Sequence, residues 1–112
     1  MIQHSFPTRR SSDLPAAAAV LARFTGSDRF GASTTIRAGS SRVEPGTTPA
    51  ADVVLSWPTF SDAADQAGRS RRYGGIHFED GDLVGRALGG MVGARAWEAA
   101  AGLFAGRQPA PA

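Results

Sequence analysis

DLVGRALGGMVGARAWEAAAGLF, residues Asp82 to Phe104, governs how the rest of this chain is read. Its Leu, Ala, Met and Arg favour helix. Val84, Leu88, Met91 and Val92 recur at helical spacing as one apolar stripe, continued by Ala96, Ala99 or Ala100, and Leu103. Gly85, Gly89 and Gly93 lie four apart and share a face, and a row of bare glycines lets another helix approach closely. Asp80 or Asp82 can cap the start, placing negative charge at the positive end of the helix dipole. The glycine face needs a neighbour, and the visible chain has few large apolar residues to supply one. The expectation is a mainly α chain that is an incomplete part of a bigger helical bundle.

Towards the N-terminus, Pro15 to Phe24 reads as a helix end that Gly26 can cap, followed by a loop. Residues 33–57 mix β-branched residues with Gly and Pro. They read as a long irregular connection with short strands at Thr34–Arg37 and Val53–Trp57. A short helix comes next. Thr59 stands three residues before Asp62, a capping-box spacing, and Gly68 ends the helix. Residues 69–82 then read as loop or turn. Residues 107–112 read as a disordered tail.

The chain has 112 residues and a formal charge of +2. Arg and Asp are interspersed, and no block of like charge marks a nucleic-acid arm, so no nucleic-acid partner is expected. The absence of Cys excludes disulfides and thiolate metal sites. The apolar region Leu83 to Gly106 contains Arg86, Arg95 and Glu98, which argues against a transmembrane span.

The opening differs in character. SFPTRRSSDL, Ser5 to Leu14, matches the translation of TCT TTC CCT ACA CGA CGC TCT TCC GAT CT, and so resembles a widely used short-read sequencing adapter. A secretory reading of Arg9 and Arg10 is weak, because the apolar run after them is short and Arg23 interrupts its continuation. Residues 1–14 are therefore expected to be artefactual or disordered, and His4 is not a candidate ligand. The remaining domain is residues 15–106, and the N-terminal part of that domain is expected to be missing. Without residues 1–14 the charges are 10 Arg against 9 acidic residues.

Chemistry concentrates in Ser70-Arg71-Arg72-Tyr73-Gly74-Gly75-Ile76-His77. Arg71 and His77 are six apart. On a straight helix that spacing rotates them about 240° from each other; on a strand it separates them by about 20 Å. A curled chain brings them together, and Gly74 and Gly75 allow the curl. A guanidinium fork and an imidazole converging near a helix N-terminus would bind an oxyanion. The plainer alternative is that Arg69, Arg71 and Arg72 are solvated and His77 is a packed histidine.

SRRYGGIHF is similar to the last signature of the lipid phosphatase/vanadium haloperoxidase superfamily: Ser-Arg, five residues, then His. The run from TPAADVVLSW to GRALGGMVGARAW looks like bacterial vanadium-dependent haloperoxidase-like proteins in particular, and the resemblance covers residues 15–106. It implies a helical bundle of the acid phosphatase/vanadium haloperoxidase type. It implies that Arg71 binds oxygens of phosphate or vanadate, with Ser70 and Gly75 as further anion contacts. His77 would be the axial group, bonded to vanadium in a haloperoxidase and attacking phosphorus in a phosphatase. One pocket serves both because vanadate takes the shape that phosphate reaches only at its transition state. The cofactor would be vanadate in a haloperoxidase and none in a phosphatase. The small-molecule partners would be peroxide and halide, or a phosphate ester.

Many relatives carry Asp four residues after this His. Here that position is Gly81, flanked by Asp80 and Asp82, either of which could orient His77 or merely cap the last helix. The family's Ser-Gly-His motif, which usually precedes an Ala-rich helix, falls where the adapter-like stretch stands. The other upstream ligands and the acid–base His are absent from the chain, so the expectation is a fragment inactive alone, whose parent is a haloperoxidase or a related acid phosphatase. The alternative of another class is a non-catalytic helical interaction module docking through Gly85, Gly89 and Gly93.

Overall fold

The structure, a computed structural model, describes residues 9–108, with side chains from Ser11 onward. Its elements run α1 (Arg9–Thr25), β1 (Arg29–Ile36), β2 (Val53–Thr59), α2 (Phe60–Tyr73) and α3 (Glu79–Phe104). It is mainly helical, with one small sheet.

The long helix is as expected, but its glycines already have a neighbour. A methyl group built on Gly89 would lie 2.1 Å from the carbonyl oxygen of Ser12, and one on Gly93 would lie 2.4 Å from that of Ala16. The two helices therefore touch backbone to backbone, and α1 can come this close because its facing residues are Ala and Ser. The apolar stripe faces the other way: Val84, Leu88, Met91 and Val92 are 42–64% exposed. Within this chain the buried face of α3 is its smallest face, and the interior is correspondingly poor. Among the described residues the buried apolar side chains are Ala18 and Ala64. Edge-on packing of Phe24 against Trp97 and tilted packing of Phe30 against Phe60 supplement them. The radius of gyration, 17.5 Å, exceeds the roughly 13 Å of a compact chain of 100 residues.

β1 and β2 pair antiparallel, with Ala32 opposite Trp57 and Ile36 opposite Val53. Both are longer than the expected strands, and β1 begins inside what reads as loop. The register is irregular between Arg29 and Ala32, where Gly31 has φ +69°. The irregular connection is the loop between the strands. It is tied internally by Gly39 N–H to Pro49 O and Ser41 N–H to Thr48 O, and at its base by Ala38 N–H to the Asp52 carboxylate.

The capping box is real on one side: Thr59 is the N-cap of α2, and its hydroxyl accepts from Asp62 N–H at 2.9 Å. Gly68 does not end that helix. It lies buried within it, and the stop comes at Gly74 and Gly75. At the start of α3, Phe78 is the N-cap and no side chain caps the helix, so neither Asp80 nor Asp82 plays that role. No structural boundary falls at residue 14: α1 runs through it from Arg9, and Ser11 is buried. Residues 1–8 and 109–112 lie outside the described residues. The first residue of the expected tail is tied to α3, because Arg107 N–H donates to Gly102 O. Among the described residues no helix is long and apolar enough to cross a membrane.

Candidate functional site

The chain does curl between Arg71 and His77, and the curl is a helix-termination motif. Gly75 takes φ +70°. Its N–H donates to Arg72 O at 2.9 Å, and Ile76 N–H donates to Arg71 O at 3.2 Å. These paired bonds, wrapped around a left-handed residue, form a Schellman cap. It stops α2 and leaves His77 two residues before the start of α3, with the N-cap Phe78 between them. Ser70, Arg71 and Arg72 are thus helical, on the last turns of α2, rather than in a loop.

The charged residues around this turn behave differently. Arg71 is half-buried, and among the described residues it makes no ion pair; its Nε is buried without a hydrogen-bond partner. Arg72 crosses to α3, where Nη1 lies 3.0 Å from Glu79 and Nε lies 3.1 Å from Asp82 Oδ2. The latter is an ion contact without hydrogen-bond geometry. Arg86, one turn beyond Asp82, contacts Asp82 Oδ2 at 3.1 Å and Asp65 of α2 at 3.0 Å. Asp82 is the hub, 1% exposed, and its Oδ1 accepts from Ser11 Oγ at 3.2 Å. Ser11 Oγ in turn lies 3.4 Å from His77 Nδ1. Asp82 therefore reaches the imidazole through a hydroxyl. Asp80 is exposed in the first turn of α3.

The remaining candidates are occupied locally. The Ser70 hydroxyl donates to Ala67 O at 2.7 Å, and Gly75 N–H closes the cap. Tyr73 is 86% exposed. It borders a groove with Leu55, Trp57 and Ser70. Sequence reasoning missed the paired roles of Arg72 and Arg86. The signal available was the four-residue step from Asp82 to Arg86, the spacing of neighbours on one helix face.

A family model described as the VCPO second helical-bundle domain matches residues 4–106. The chain belongs to that family. Among solved structures, this VCPO-type domain is similar to a holo-type bacterial vanadium-dependent chloroperoxidase. The two share 31% identity at a TM-score of 0.78, covering 84% of this chain and 20% of the other. The apo-type chloroperoxidase structure gives 31% identity, a TM-score of 0.79 and the same coverage. The VCPO-type chain thus spans about a fifth of the length of the structures it matches. No curated protein matches it.

Proposed function

We propose that this VCPO-type chain forms one wall of an oxyanion pocket for vanadate, with Arg71 and His77 as its ligating side chains. The parent would be a haloperoxidase-like enzyme that oxidises halide with hydrogen peroxide. The observation that carries the reading is that Arg71 has no carboxylate partner among the described residues, whereas Arg72 and Arg86, whose Nε atoms are likewise buried without a hydrogen-bond partner, each face acidic groups. A buried N–H donor without an acceptor is costly, and an oxyanion would satisfy it.

The residues fit such a guest. Vanadate is an oxyanion, so it calls for N–H donors and an imidazole rather than a carboxylate cage. Among the described residues no cluster of three His, Cys, Asp or Glu suits a bare cation. Asp82, the one buried carboxylate among the described residues, is compensated by Arg72 and Arg86 and need not repel an anion nearby. When bound, vanadate would supply the Lewis acidity that activates peroxide. Arg71 would grip two oxygens with its planar fork, which an ammonium cannot do. His77 would offer Nε2, since Nδ1 faces Ser11 Oγ.

Two donors make a weak site, and the others would come from the rest of the parent. The chain alone is expected to be inactive. The deciding experiment is on the intact parent: halogenation that needs both vanadate and peroxide, abolished by Arg71→Ala or His77→Ala. Release of phosphate from a model ester without halogenation would make it a phosphatase acting through phospho-His77. Activity that survives both substitutions would mean an interaction module. The adapter reading predicts a Ser-Gly-His motif within about ten residues upstream of Pro15 in the genomic sequence, the motif's usual context.

A further inference from the structure

We infer that Arg72 and Arg86, acting through the buried Asp82 carboxylate, are positioning residues that fix the direction in which Arg71 projects. The inference rests on the reading of Arg71 as an anion donor. Arg71 and Arg72 are neighbours on α2, about 100° apart around its axis. Whatever fixes the rotation of one fixes the other. Arg72 is held at two points on α3, Glu79 and Asp82. Asp82 is held from three helices: by Ser11 of α1, Arg72 of α2 and Arg86 of α3 itself. Arg86 closes the loop by returning to Asp65 on α2. Arg72 therefore ties the last turn of α2 to the start of α3, and Asp65 ties an earlier turn of α2 to Arg86, so the two helices are held together across the Schellman cap that leads to His77.

Gly68 shows how tightly this network is seated. A methyl group there would fall 2.5 Å from Asp82 Oδ1 and 3.3 Å from Arg86 Cδ. The α2 backbone lies directly on the carboxylate, with no room for any side chain. A buried ionic network often gives little net stability, because desolvation opposes the Coulombic gain. What it supplies is a single geometry, since each charge is tolerated only where its partners are.

The test uses the intact parent with Arg72→Lys, Arg86→Lys and Gly68→Ala, and with Arg71→Lys for comparison. Orthovanadate affinity is read by vanadium NMR, helix content by circular dichroism, and hydrogen exchange at the Gly75 and Ile76 amides that close the cap. Arg71→Lys should weaken vanadate binding and leave exchange unchanged. The other three should retain their helix content, speed exchange at both amides and lower affinity on the order of tenfold, the loss of one charge-assisted bond. Folded variants with native exchange and native affinity would overturn the inference, as would wholesale loss of helix in all three, which would make the network a folding element. If the intact parent binds no vanadate while the variants still speed exchange, the anion reading fails and the clamp stands.

Discussion

Gly93→Ala tests the contact between α1 and α3, and Gly90→Ala supplies its control. Both add one methyl group to the interior of the same helix three residues apart, and both gain about 1 kcal/mol of helix propensity. Their surroundings differ. A methyl group at position 90 meets nothing within 4 Å, whereas at position 93 it meets Ala16 O at 2.4 Å, Ala16 Cα at 2.9 Å and Ala19 Cβ at 2.9 Å. Two of those atoms are backbone and cannot rotate away, so the helices must separate. Overpacking of this kind costs about 1–3 kcal/mol, and the upper end applies where backbone obstructs. Gly90→Ala should therefore stabilise by about 1 kcal/mol, and Gly93→Ala should lose about 1–2 kcal/mol net. With a urea slope near 2 kcal/mol per molar, the two midpoints should stand about 1–1.5 M apart. The assay is urea titration of helical circular dichroism in the cold, where an incomplete bundle is best populated. A Gly93→Ala midpoint at or above that of Gly90→Ala would refute the backbone contact.

Thr59→Ala removes the N-cap of α2 and should cost about 1 kcal/mol, seen as a lower urea midpoint and faster exchange at Asp62 N–H. Gly75→Ala forces a Cβ into the left-handed region at φ +70° and should cost about 1–2 kcal/mol, while Gly75→Asn should cost less. Met91→Gln with Val92→Gln should leave the urea midpoint nearly unchanged, because both side chains are more than half exposed, yet reduce self-association in light scattering.

The helices were legible because their signals are local. Thr59 three residues before Asp62 announced a cap, and the four-residue glycine step announced a close helix contact. Which face of α3 would be buried was not legible, since periodicity favours the larger apolar stripe, and only the presence of an Ala-rich partner selects the glycines. Gly68 misled for a related reason. In sequence a glycine signals freedom of φ, but here it marks the absence of a side chain over Asp82, a long-range requirement. The curl between Arg71 and His77 was anticipated from Gly74 and Gly75. The burial of Asp82 was not, because a carboxylate in a first helical turn ordinarily faces solvent and its three partners come from three helices. Pro15 is where sequence and structure fit least well. It lies inside α1 and deprives the carbonyl four residues earlier of its usual donor, whereas at a helix start it would be well placed.

The Schellman cap also sets a rule about length. From Arg71 to Ile76 the chain is counted out by hydrogen bonds, so the interval works as a ruler rather than as a tether. Exposed residues within it, such as Tyr73, can be exchanged freely, but one residue added or removed would break the pairing and carry His77 out of step with α2. Variation in this interval should therefore be by replacement and never by insertion or deletion.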